Sequence, residues 1–307
     1  MNKSPRHFGC WLISGGIVVV LVAGDLFARA ETNSTTAMDK AFLKTNGDLV
    51  TIGNIAVKKS SRLNTDEFKQ YMWRTHLLDQ IADSRSSNAT DRLAEGAWAL
   101  SKDYPNELNG YFLVMSAMER YVFEGKPEKA RTLANELIES PAPERSKLWA
   151  EGFLNRLDSY GKPVSIRFKA LDGREVDLAN MNGKVVLVVF WQIYNGPDAE
   201  LARVKAAYDK FHGRGFEIIG INCDTDKKAL KDHLKQQDIS WPQYFDGKQQ
   251  ESNKLAQGFG IDGIPHMFLV DKKGCLRFDN VRARDRFHPK GDTTSMEEKI
   301  SKLLAED

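Results

Sequence analysis

The chain is poor in cysteine: three in 307 residues, at positions 10, 223 and 275. That excludes a disulfide scaffold and a four-cysteine zinc site. It has no excess of charge of either sign, with 44 Lys and Arg against 42 Asp and Glu. Electrostatic attraction to nucleic acid is therefore not expected. No phosphate loop, dinucleotide fingerprint or Ser-His-Asp arrangement stands out. No metal-spaced ligand pair and no cofactor motif is visible either. A long apolar run is also missing. Phe8 to Ala23 is uncharged for sixteen residues, short of the ~18 that span a membrane comfortably. What is present is 41% hydrophobic and 28% charged residues, enough to bury cores, and a length that suggests about two domains of roughly 150 residues.

The first thirty residues read as an export signal. Lys3 and Arg6 precede the apolar run, and Ala28-Arg29-Ala30 supplies small residues at a cleavage site before Glu31. The expected location is the periplasm or cell envelope. An uncleaved anchor is the alternative, and only then would a membrane be a partner. Removing residues 1–30 takes away Lys3, Arg6 and Arg29 with Asp25 and leaves a mature chain without net charge. Cys223 and Cys275 remain, in a compartment expected to be oxidising.

Two grammars follow. Residues 31–60 are polar and mixed, and the expectation is a loosely packed lead-in. Residues 61–160 read as a helical domain. Asn64-Thr65-Asp66-Glu67 is a helix start, and Phe68, Tyr71, Met72, Thr75, Leu78 and Ala82 keep helical spacing. Further helices are expected over Asp91–Lys102, Leu108–Phe123, from Pro127, and over Glu144–Leu157. Gly125-Lys126-Pro127-Glu128-Lys129-Ala130 resembles the second helix of a tetratricopeptide repeat. The domain either packs on its neighbour or offers a peptide-binding groove.

Tyr160-Gly161-Lys162-Pro163 marks the expected boundary, and residues 161–307 change period. Val164–Leu171 and Arg174–Leu178 flank Asp172-Gly173 as a hairpin. Lys184–Trp191 and Phe216–Cys223 are continuous apolar runs, suited to strands buried on both faces. Helices are expected over Asp198–His212, closed by Gly213, and over Lys227–Gln237, Glu251–Phe259 and Ser295–Leu304. Met267–Asp271 and Leu276–Val281 make a second hairpin. The class is α/β: a mixed sheet flanked by helices.

These residues point to a family. Asp172-Gly173, Asn182 to Trp191, Gly196-Pro197 opening a helix and Gly263-Ile264-Pro265 before a strand together resemble the thioredoxin-like redoxins. The subgroup they are most similar to is the exported TlpA/ResA-type thiol-disulfide oxidoreductases, related to the AhpC/TSA domain. The resemblance implies a thioredoxin fold, a cis peptide before Pro265, and a redox site around Gly196-Pro197. It also implies two cysteines there: a thiolate activated at a helix N-terminus and a resolving thiol. The chain reads Tyr194-Asn195-Gly196-Pro197-Asp198 instead. Asn195 and Asp198 take the two cysteine places and carry no sulfur. Val189 stands where some members bury an acid, and Leu201 where many exported members carry glutamate.

The expectation is a redox-inactive relative that binds a protein or peptide through Tyr194, Gly196, Pro197, Ile264, Pro265 and His266. Asn195 and Asp198 also suit a helix start, as N-cap and first-turn acid. A metal site from Asp198 and His266 lacks a third ligand. The alternative keeps thiol or antioxidant chemistry at Cys223, which ends a strand on the redox side of the sheet. A third reading makes residues 161–307 a support for a helical half that does the binding.

Overall fold

Val185 to Trp191 is apolar at every position, and every residue of it is buried. A strand with this pattern must sit inside a sheet with both faces covered. It is the middle strand of five in the computed structural model. That model describes residues 12–13, 17–18, 43–46, 49–52 and 55–58, residues 67, 70, 71, 74, 75, 77 and 78, and then 88–193, 199–281 and 294–306. The chain forms two compact units, residues 1–77 and 78–307.

In the first unit β1 (Leu12–Ile13) pairs with β2 (Ile17–Val18). β3 (Leu43–Asn46), β4 (Leu49–Ile52) and β5 (Ile55–Lys58) form an antiparallel sheet. This corrects the expected loose lead-in. A sequence signal was there: Gly47-Asp48 and Gly53-Asn54 are turn-type dipeptides that separate Leu43–Asn46, Leu49–Ile52 and Ile55–Lys58. The described residues from 67 to 78 are helical, where the first helix was expected.

The second unit begins with four helices, α1 (Ala89–Asp103), α2 (Leu108–Phe123), α3 (Pro127–Glu139) and α4 (Glu144–Asp158). Three- and four-residue connections make each pack on the next. Pro127 starts α3 at a position that needs no N–H donor. The segment expected to be a domain boundary lies inside this unit. Tyr160 bridges Leu276, and Pro163 bridges Cys275.

The hairpin of β6 (Arg167–Lys169) and β7 (Glu175–Asp177) comes next. β8 (Val185–Trp191), α5 (Ala199–Phe211), β9 (Phe216–Asn222), α6 (Lys227–Gln236), β10 (Gln243–Phe245), α7 (Lys254–Gly258), β11 (His266–Val270), β12 (Leu276–Phe278) and α8 (Met296–Ala305) complete the chain. The sheet order is β10-β9-β8-β11-β12. β8, β9 and β10 are parallel, β11 runs against them, and β12 runs against β11 and so in the direction of β8. Edge strand β10 was not foreseen, being three residues long after Trp241-Pro242. α5 is followed by a 3-10 turn that Gly215 closes at φ 95°, a left-handed conformation, so Gly215 and not Gly213 ends this segment.

Alternation divides the core. Val186, Val188, Phe190, Ile219, Ile221, Phe268 and Val270 share a cluster with Ile166, Phe168 and Ala256. Val185, Leu187, Val189, Ile218 and Leu269 pack with Val204 and Phe211 of α5 and Ile300 and Leu303 of α8. Asp226 and Asn253 cap α6 and α7 through their side chains, and Ser295 with Glu298 makes a capping box on α8.

Candidate functional site

Parallel strands β8 and β9 end side by side. The Cys223 N–H donates to the Trp191 carbonyl at 2.8 Å. Asp224 then ties the two exits together. It accepts from the Ile193 N–H at 3.0 Å and from Asn222 Nδ2 at 2.7 Å. The Trp191 indole donates to Gln243 Oε1 at 3.0 Å, so its polar edge is satisfied inside the core. Tyr194, Asn195, Gly196, Pro197 and Asp198 follow this exit and lie outside the described residues.

Cys223 is at this end of the sheet, as expected, but only 1% of it is exposed. Burial pushes its thiol well above the ordinary value, and the charges of Asp246, Asp224 and Glu251 push it further. A thiol in that state is not a thiolate nucleophile at neutral pH. Cys275 follows β11, which runs against β8, so it sits at the opposite end of the sheet. The two sulfurs are both free.

The Ile264–Pro265 peptide is cis, as the resemblance implies. Pro265 is half-buried, while Ile264 is buried. His266 is the first residue of β11, opposite Phe190, and is buried, 4% exposed. Its Nε2 is 2.6 Å from Asp279 Oδ1. The expected place of His266 on an open binding face is therefore corrected: every residue of β11 is buried, both faces of the sheet being covered, and the ring is engaged with Asp279. The ring is already engaged, and no group of metal-ligating side chains occurs among the described residues.

Asp279 leads to a group that sequence reasoning missed. Its Oδ2 is 2.9 Å from Nε of Arg156, on α4. Arg156 is 1% exposed and spends the rest of its guanidinium on two elements. One terminal nitrogen donates to the Phe259 carbonyl at 2.9 Å and the Gly260 carbonyl at 3.3 Å. The other donates to Glu119 of α2. Two carboxylates thus share one cation, and their environments split them. Burial opposes ionisation of Asp279, but Arg156, His266 and the Asn280 N–H outweigh it and hold its carboxyl far below the usual range. Glu119 has Arg156 as a close partner, yet burial dominates and lifts it to about 7. The missed signal was periodic. Trp149, Phe153 and Arg156 fall on one buried face of α4, so an arginine occupies a core position.

Residues 162–279 match the model of the AhpC/TSA family. Over these residues the chain is similar to AhpC/TSA thioredoxin-like domains. Its relatives include the thiol-disulfide oxidoreductase ResA of Bacillus cereus, 30% identical over 105 residues, which is 34% of this chain and 58% of that protein. ResA of Bacillus subtilis is 24% identical over 104 residues, 34% of this chain and 56% of the relative. The chain thus spans a little over half the length of these curated relatives. Among solved structures, the thioredoxin domain of a thiol-disulfide oxidoreductase from Bacteroides vulgatus is 25% identical with a TM-score of 0.36, covering 46% of this chain and 94% of that one. A thiol:disulfide interchange protein from Chlorobium tepidum is 22% identical with a TM-score of 0.38 over the same shares. Among the described residues no helix is long and apolar enough to cross a membrane.

Proposed function

We propose that this chain is an exported thioredoxin-like protein of the ResA type that has given up disulfide exchange and binds a protein or peptide around Pro265. The observation that carries this reading is where the sulfur is. Asn195 and Asp198 occupy the places where the family resemblance calls for cysteines. Of the cysteines after residue 30, Cys223 is sealed in the core and Cys275 lies at the far end of the sheet. Burial and the three nearby acids count against the alternative of a reactive Cys223.

Insulin reduction by the mature chain, beside its Asn195→Cys/Asp198→Cys variant, tests this. An inert native chain and an active double variant are expected. Native turnover above that of free thiol overturns the reading.

A further inference from the structure

We infer that Arg156 is a positioning residue for the segment that leads into Pro265, so that helices α2 and α4 set the shape of the binding face. The consequence for binding rests on the function proposed above; the clamp itself does not.

Three observations converge on residues 257–266. First, Arg156 bonds the consecutive carbonyls of Phe259 and Gly260, six and five residues before Pro265. Both bonds come from one terminal nitrogen, while Nε and the other terminal nitrogen hold Asp279 and Glu119, so one rigid plane serves three sets of partners from three nitrogens, which a single ammonium nitrogen cannot do. Second, the same guanidinium holds Asp279, which holds His266, the residue immediately after Pro265. The segment is therefore gripped on both sides of Pro265 from one side chain. Third, α4 approaches it backbone to backbone. A Cβ on Gly152 would fall 2.8 Å from the Gly260 Cα, and one on Gly260 would fall 2.6 Å from the Trp149 carbonyl oxygen. Only glycine at both places admits this contact, and it leaves the segment no slack against the helix.

Hydrogen exchange of the full chain tests the clamp. Arg156→Lys keeps a cation beside Asp279 and Glu119 but has one nitrogen where the guanidinium uses three, so the Phe259 and Gly260 carbonyls lose their donor. Amides of residues 259–267 should then exchange at least about tenfold faster, the factor carried by one lost charge-assisted hydrogen bond. Amides of β8 and β9 should keep their protection. Unchanged exchange in 259–267, or equal loosening of β8 and β9, overturns the inference. The wild-type chain gives an independent reading if the variant does not fold. In low urea, residues 255–261 and 149–158 should open together as one unit; a 255–261 segment that opens alone overturns the clamp. Insulin reduction by Asn195→Cys/Asp198→Cys, with and without Arg156→Lys, separates the two claims. A loosened segment with undiminished turnover upholds the clamp and overturns the role of Pro265 in binding.

Discussion

Glu119 makes the stability of this protein depend on pH in a direction opposite to that of an ordinary paired acid. Its carboxyl sits at about 7 in the folded chain against 4.5 in the unfolded one. The groups facing it are Arg156 from α4, Asp262 from the segment before Pro265, Asp279 after β12, and His266 at the start of β11. Between those two pH values the folded chain holds a proton that the unfolded chain has released. Stability from this group is therefore complete below pH 4.5 and is lost as pH rises through 7. At ~1.4 kcal/mol per tenfold change in the proton equilibrium, the full loss is ~3 kcal/mol. The side chain keeps 24% exposure, so water screens part of the charge and ~3 kcal/mol is an upper bound. Asp279 has the opposite sign: its carboxyl is held below 3.8, so its contribution is lost only in more acid solution. Urea unfolding at pH 5, 6, 7 and 8, for wild type and Glu119→Gln, isolates the group. The wild type should lose stability relative to the variant across this range. Parallel curves for the two proteins would refute the reasoning.

Gly152→Ala should destabilise the chain by ~1–3 kcal/mol, because its Cβ meets backbone of residues 257 and 260 that cannot turn aside; Gly213→Ala, which meets nothing within 4 Å, is the control, and thermal melts compare them. Cys223 should resist an aromatic disulfide reagent at pH 8 in the folded chain and react fully in denaturant, with labelled peptides read by mass spectrometry; rapid native labelling would show a thiol less buried than its 1% exposure requires. His266→Phe should lose stability despite its similar shape, since Asp279 Oδ1 is left without the ring nitrogen at 2.6 Å, by ~1–3 kcal/mol in a melt.

The sheet could be read from the chain because its chemistry is local and one-dimensional. A seven-residue apolar run such as Val185–Trp191 has few other places to go, and Asp172-Gly173 or Lys272-Lys273-Gly274 punctuate with turn residues. Short strands escaped. β10 is three residues long and the 43–58 strands four residues each, too short for a period to stand out from loops. Of the residues that the motif singles out, Pro265 follows the cis peptide that the resemblance implies, while Asn195 and Asp198 lie outside the described residues. His266 was placed wrongly because its neighbour in sequence was taken as its neighbour on the surface. The Glu119–Arg156–Asp279–His266 chain joins residues 147 positions apart, and no local pattern encodes such a pairing.

That chain poses a question of choice. Apolar side chains in the places of Glu119, Arg156 and Asp279 would hold α2 and α4 on the sheet at no desolvation cost, and buried ion pairs are often replaced this way without loss of stability. They would, however, leave the Phe259 and Gly260 carbonyls buried against α4 without a donor, and each orphaned carbonyl costs about 1–3 kcal/mol. The carbonyls are there because the chain must leave α7 through Gly258, Phe259 and Gly260 and turn toward Pro265 beneath the helix. An arginine answers that need, and once buried it demands an acid. Asp279 supplies the charge and is ionised. Glu119, the second acid, is then surplus to charge balance, which is why burial wins over attraction at that carboxyl and not at Asp279. The order of causes runs from the backbone of the Pro265 segment to Arg156, from Arg156 to Asp279, and only then to the pH dependence at Glu119.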